Sequence, residues 1–293
     1  MRPVQPDYCP SPVIIGGLKT IAREYDALLC DVWGVIHDGQ NAKRPAVEAL
    51  RNFRRERGPV ILLSNAPRPV RDVEKQFVKL GVPDDSHDAI VTSGVLAHDD
   101  LARRSEERAI DALHIGPERD RGVFAGLPVN CVAAEEAEII ICTGLFDDDS
   151  ETPEDYRQML EPLSRRALDF LCINPDIVVQ RGDRLIYCAG ALARVYEQMG
   201  GTAIYYGKPH PPIYHAAFEL AAGKAKNPHP RILVVGDGLA TDIRGANAVG
   251  FDTLFVAGGI HAGDLRELTP AALKKLCSEA GVSVRAAMCS LVW

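Results

Sequence analysis

Short apolar runs alternate with helix-period segments along most of the chain. The run "DALLCDVW" (26–33) reads as a buried strand. "RPAVEALRNFRRERG" (44–58) reads as a helix, with Pro45 in its first turn and Gly58 past its end. "PVILLSN" (59–65) is a continuous apolar strand, "PVRDVEKQFVKLG" (69–81) a helix closed by Gly81, and "DAIVTSG" (88–94) a third strand. The rhythm returns near the C-terminus. "TAIYYGK" (202–208), "RILVVGD" (231–237) and "DTLFVAGG" (252–259) read as strands. "PPIYHAAFELAAG" (211–223), "TDIRGANAVG" (241–250) and "TPAALKKLCSEAG" (269–281) read as helices between and after them. Near-continuous apolar strands alternating with helices predict a doubly wound α/β fold with a mostly parallel sheet, covered on both faces.

The middle of the chain has an alternation of its own. "EIIICTG" (138–144), "FLCIN" (170–174) and "RLIYC" (184–188) read as strands, with helices over 152–168 and 190–201. That is enough chain for a smaller α/β unit inserted into the larger one. The expected division is 1–94 with 201–293 for the larger unit and 95–200 for the smaller.

Composition narrows the partners. A net charge of −7 over 293 residues disfavours nucleic acid or an anionic membrane, both of which need a basic face. One local positive site can still hold a small anion. No apolar run approaches the roughly 18 residues that a membrane span needs. The proline-rich start "MRPVQPDYCPSPVIIGG" has no signal-peptide pattern, so a cytoplasmic location is expected. The eight cysteines form no CxxC pair, and Cys30, Cys142 and Cys172 fall inside apolar strands; they read as buried reduced thiols.

Four expected strands end in polar residues: Asp31 on the first, Ser64 and Asn65 on the second, Lys208 after "AIYYG", and Asp237 after "RILVVG", with Asp242 close behind. Singly, an Asp after a buried strand is a turn or helix cap about half the time, a Ser-Asn pair is a turn more often than a site, and a lysine before proline is usually solvated. Together they fall at the carboxyl ends of their strands, where a doubly wound sheet binds its ligands. The chemistry implied is phosphoryl transfer. Asp31 and Asp237 are hard oxygen ligands suited to Mg²⁺. Ser64 can donate to a phosphoryl oxygen, Lys208 supplies a compact charge, and backbone N–H groups after Asp31 can hold oxyanions. Asp31 can itself be the nucleophile.

In this order, "CDVWGVIHDG" (30–39), "LLSNAPRP" (62–69), "GKPHPPIY" (207–214) and "VGDGLATDIRGANAVG" (235–250) resemble the four motifs of the haloacid dehalogenase superfamily, class IIA. The middle resembles the type 2 cap of that class, opened by "TSG" (92–94), with "INPD" (173–176) and "GALARVYE" (190–197) near its end. The resemblance implies a Rossmann-like core with an inserted cap. It implies a Mg²⁺-dependent phosphatase acting on a small phosphorylated metabolite through an aspartyl-phosphate on Asp31. It places Ser64 and Lys208 in catalysis, and Trp33, Gly34, Asn65, Asn174 and Asp176 against phosphate or substrate, with Arg181 or Arg184 facing an anionic group. Asp31, the Trp33 carbonyl, Asp237 and Asp242 would hold the metal. Caps of this kind often form dimer contacts in related proteins, which makes a homodimer one candidate assembly and leaves the oligomeric state open.

One position departs from the family's pattern. Phosphatases of this superfamily carry Asp two residues after the nucleophile, as acid for the leaving group and base for water. Here that residue is Trp33. A backbone carbonyl survives any side chain, so only proton transfer is lost. Such catalysis is typically worth about 10²–10⁴ in rate, roughly 3–5 kcal/mol. His37 or Asp38 in the same loop are candidate replacements, against the plainer reading of "HDG" as a turn. The alternative is a weakly active or inactive phospho-ligand-binding protein. Dehalogenase chemistry fits less well, because "GDGLATD" implies a metal. So does phosphonate cleavage through a cap lysine, because no lysine lies between Lys79 and Lys208. Lys43 lies between the first two motifs, in a segment too short to hold a cap.

Overall fold

The computed structural model describes residues 12–181, 184–260 and 267–293. The first eleven residues of the proline-rich start therefore lie outside the described residues, as do residues 182–183, just before Arg184. The larger sheet has seven strands in the order Val13–Ile14, Ala286–Met288, Asp252–Val256, Ile232–Gly236, Ala27–Asp31, Val60–Ser64, Ala89–Thr92. All its neighbours pair in parallel. A second, five-stranded parallel sheet runs Thr202–Tyr205, Asp169–Cys172, Ile139–Cys142, Ile110–Ile115, Val129–Cys131.

The period of two along each strand decides which helix it meets. On Ala27–Asp31, Leu28 and Cys30 pack with Val47, Leu50 and Phe53 of helix Arg44–Glu56. Ala27 and Leu29 pack with Ile213, Tyr214 and Ala217 of helix Pro211–Lys224. Asp31 has the parity of Leu29. It therefore faces the side on which the lead-in to helix Pro211–Lys224 carries Lys208. The smaller sheet is covered the same way. Helices Arg157–Arg165 and Ala189–Gln198 lie on one face, and helix Ser93–Arg104 on the other. Cys30, Cys142, Cys172 and Cys188 are buried free thiols, and Cys277 is buried as well. Among the described residues no helix is long and apolar enough to cross a membrane.

Two expectations need correction. "TAIYYGK" is a strand, but it pairs along Asp169–Cys172 as the edge of the smaller sheet, with Tyr205 opposite Cys172. A boundary at 200/201 would cut that pairing. A half-buried edge strand and a central one share the same local pattern, and only the partner distinguishes them. "RLIYC" is also a strand, but Arg184–Tyr187 pairs antiparallel with Val178–Arg181 in a separate hairpin. The strands Ile110–Ile115 and Val129–Cys131 are additions to the expected set; the first is interrupted by Asp111 and His114, and the second is short and mostly exposed, so neither is a continuous apolar run.

Thr92 fixes the passage between the sheets. Its hydroxyl accepts from Val95 N–H at 3.0 Å, capping helix Ser93–Arg104, and donates to the Arg68 carbonyl at 2.7 Å. It is fully buried. Thr92→Val keeps the volume and strands both partners, so it is expected to cost about 1–3 kcal/mol, read as a lower urea midpoint.

Candidate active site

Asp31, Ser64 and Asp237 stand at the carboxyl ends of three adjacent strands of the larger sheet, and all are buried. Asp242 lies in the turn Leu239–Ile243 that follows. Lys208 arrives from the smaller sheet and is only 4% exposed. Its ammonium donates to Asp31 Oδ1 and, at 2.7 Å, to Asp242 Oδ1. Asp242 Oδ2 accepts from Gly238 N–H at 3.0 Å, and Asp237 Oδ2 from Ile260 N–H at 2.8 Å. Asp31, Asp237 and Asp242 offer oxygens that all lie within 4.8 Å of one another.

The electrostatics follow from burial. Desolvation and the neighbouring Asp242 push the Asp31 carboxyl well above its usual range, against the pull of Lys208. The same two causes raise Asp237 to about 6. Burial opposes the charge on Lys208, but Asp242 and Asp31 outweigh it and keep the ammonium protonated. Three carboxyl groups crowd one ammonium, and the upward shifts of Asp31 and Asp237 reflect that excess of acidic groups. A buried surplus of this kind, made of hard oxygen donors, fits a divalent cation.

Asn65, expected against phosphate, has its amide committed elsewhere. Nδ2 donates to Asp176 Oδ1 at 2.9 Å and to the Lys208 carbonyl at 3.1 Å, using both hydrogens. Its Oδ1 accepts from Lys208 N–H at 2.7 Å and from Ser93 Oγ at 3.4 Å. The side chain clamps the lysine's backbone from both sides and ties it to the smaller unit. Ser64 Oγ accepts from Ala66 N–H at 3.1 Å, which orients its hydroxyl. Gly34 N–H, expected to hold a phosphate oxygen, donates instead to the His37 carbonyl at 2.8 Å. What Gly34 contributes is space: with φ at +85°, a Cβ there would lie 2.1 Å from Asp237 Oδ2.

The loop after Asp31 folds back on itself. Trp33 bridges to His37, and His37 to Ala42. The Trp33 indole meets the His37 ring edge-on, with centroids 5.1 Å apart, and His37 in turn meets Phe77. Neither candidate substitute acid is placed as one. His37 is almost fully buried, its Nδ1 accepts from Gly39 N–H at 3.1 Å, and burial pushes it down to about 4, so the ring is neutral near pH 7. Asp38 accepts from the N–H groups of Asn41 and Gln40 at 2.7 and 2.8 Å, which hold its carboxyl below the usual range and keep it ionised.

A cavity of about 870 Å³ opens over these groups, between the larger sheet and the smaller unit. Trp33, Asn174, Asp176 and Arg181 line it. Asn174 Oδ1 accepts from Asp176 N–H at 3.2 Å, so it also shapes the turn. Of the two candidate arginines, Arg181 faces the cavity and pairs with Asp148 at 2.8 Å, while Arg184 pairs with Asp149 at the surface. Three further cations line the walls without having been legible as site residues in the sequence: Lys43, Arg68 (2.6 Å from Asp120) and Arg119 (paired with Asp148). Arginines in polar loops carry no signal of their own. Lys43 carried one, because a lysine just before a helix is unfavourable there.

Comparison with known proteins agrees with this architecture. Residues 28–128 match a family model described as haloacid dehalogenase-like hydrolase, and 205–278 one described as HAD-hydrolase-like. A haloacid dehalogenase-like family hydrolase from Brucella suis 1330 is 42% identical, with a TM-score of 0.83, covering 95% of this chain and 100% of that one. The chain belongs to the haloacid dehalogenase-like hydrolases. The class IIA placement expected from the motifs stands with it. The ribonucleotide monophosphatase NagD of Escherichia coli K12 is 26% identical over 239 residues, 81% of this chain and 89% of NagD. A magnesium complex of glycerol phosphate phosphatase from Mycobacterium tuberculosis is 25% identical, with a TM-score of 0.62, covering 82% of this chain and 70% of that one.

Gly39 tests the packing of Trp33. Its φ is +86°, and a Cβ there would lie 2.6 Å from Trp33 Cζ2. Gly39→Ala is expected to cost about 1–3 kcal/mol and to expose the indole. The red shift should be readable in fluorescence, since Trp33 and Trp293 are the chain's two tryptophans.

Proposed function

We propose that this hydrolase is a Mg²⁺-dependent phosphatase of small phosphorylated metabolites, working through an aspartyl-phosphate on Asp31. The observation that carries the reading is the charge balance at the strand ends, where three buried carboxylates face one ammonium. Asp31, Asp237 and Asp242, with the Trp33 carbonyl, would hold the metal. Bound there, Mg²⁺ supplies the positive charge that lets an anionic phosphoryl group approach a carboxylate. The phosphatases among the relatives, and the magnesium in one of them, support the same reading.

The chain's own groups divide the rest of the work. Lys208 holds the Asp31 carboxylate in place and offsets charge on the phosphoryl oxygens. Asn65 keeps that lysine's backbone fixed while the ester is attacked. The Ser64 hydroxyl donates to a phosphoryl oxygen. Residues of the smaller unit, Asp176 and Arg181 among them, close over the substrate and exclude water as a cap does. We place the end of that cap after the strand Thr202–Tyr205 rather than at residue 200.

Release of p-nitrophenol from its phosphate is expected to require Mg²⁺, to stop with EDTA, and to vanish in Asp31→Asn. Activity surviving that substitution would remove the aspartyl-phosphate. Phosphate and Mg²⁺ binding without turnover in the wild type would favour a binding protein. Trp33→Asp restores a carboxyl where the family carries its acid. It should raise kcat on alkyl phosphates by about tenfold or more, with a smaller gain on p-nitrophenyl phosphate.

A further inference from the structure

The walls of the cavity carry five lysine and arginine side chains: Lys43, Arg68, Arg119, Arg181 and Lys208. Four are bound to carboxylates: Arg68 to Asp120, Arg119 and Arg181 to Asp148, and Lys208 to Asp31 and Asp242. Lys43 is the exception, and among the described residues it forms no salt bridge. Its ammonium donates to the Gly34 carbonyl. The backbone delivers it there, because Lys43 N–H donates to Ile36 O at 2.7 Å and folds the loop onto its own start. Gly34 also lies directly against the Asp237 carboxylate. The ammonium thus stands across one glycine from the acidic cluster, on the wall it shares with Trp33.

The position is a poor one for a lysine on structural grounds. Lys43 is the N-cap of helix Arg44–Glu56, where a Ser, Thr, Asp or Asn would accept from the first N–H groups. Its side chain makes no cap hydrogen bond, and the first turn holds no acidic residue. A cation there opposes the helix dipole. The helix gains nothing from this charge, whereas the cavity does.

We propose that Lys43 serves the leaving oxygen of the substrate, supplying by charge what the missing acid at position 33 would have supplied by a proton. The inference rests on the phosphatase reading given above. As an Asp31 oxygen forms its bond to phosphorus, the bond from phosphorus to the ester oxygen breaks. The electron pair stays on the departing oxygen. The Lys43 ammonium stabilises that anion until it takes a proton from water. The substrates best suited are phosphate esters whose leaving oxygen carries negative charge well, such as phenolic or enolic oxygens; alkyl esters lean on Lys43 most.

The test is the dependence of kcat/KM on leaving-group pKa, measured from p-nitrophenyl phosphate to glycerol phosphate in wild type, Lys43→Met and Lys43→Arg. Lys43→Met is expected to lower the rate on the alkyl ester by about 10²-fold more than on the aryl ester. Lys43→Arg should recover most of that difference. Partial unfolding scales every ester alike and leaves the ratio untouched, so the ratio is the readout. Equal losses across the series would assign Lys43 only to holding Gly34 and overturn the proposal, as would no loss at all. A wild type that hydrolyses no ester would overturn the phosphatase reading and this inference together. An active wild type with an unchanged ratio in Lys43→Met overturns this inference alone.

Discussion

Everything at this site depends on one buried ammonium held between two carboxylates. Lys208 joins Asp31, at the end of a central strand, to Asp242, in the turn beyond the next strand. Without it, three carboxylates would share a dry pocket, and such charges neutralise by taking up protons rather than stay ionised. With it, the Asp31 carboxyl has a cation pulling against the burial and the Asp242 charge that push it upward. Lone buried ion pairs add little net stability, because desolvation consumes the gain. This one specifies an arrangement, since it fixes Asp31 against Asp242.

The ammonium is held from behind by a second polar system. Asn65 bonds both the N–H and the C=O of Lys208 and reaches Asp176 in the smaller unit. The loop after Asp31 is organised by a third, in which Trp33 fills the space over Gly39 and against His37. The tryptophan is therefore a structural part of a loop that turns back on itself and brings the Lys43 ammonium to the Gly34 carbonyl.

Much of this is legible in the residue pattern, and the limits have physical causes. Asp31, Ser64 and Asp237 can be located because fully buried parallel strands are continuous apolar runs that stop abruptly at a polar residue. Strand Thr202–Tyr205 is recognisable as a strand but not as a member of the smaller sheet, since local pattern does not name a partner. Asn65 lies where the pattern puts it but acts on the lysine's backbone. An amide offers both donors and an acceptor, and only its neighbours decide how they are used. His37 reads as a solvated turn residue, yet it is buried, because the loop packs on Phe77 of a helix distant in sequence. Lys43 shows the reverse case, a residue whose local misfit is visible while its target is not.

The pairing of Thr202–Tyr205 with Asp169–Cys172 has a consequence for how such a protein can be taken apart. The strand that delivers the lysine pairs within the smaller sheet, although the ammonium bonds Asp31 and Asp242 of the larger unit. Exchanging the smaller unit between relatives by cutting where the sequence rhythm suggests would split a sheet and leave the ammonium on an unsupported tether. A cut beyond Tyr205 would leave that pairing whole. The active site is in that sense not a property of the larger unit that the smaller one merely covers; it is assembled at the join.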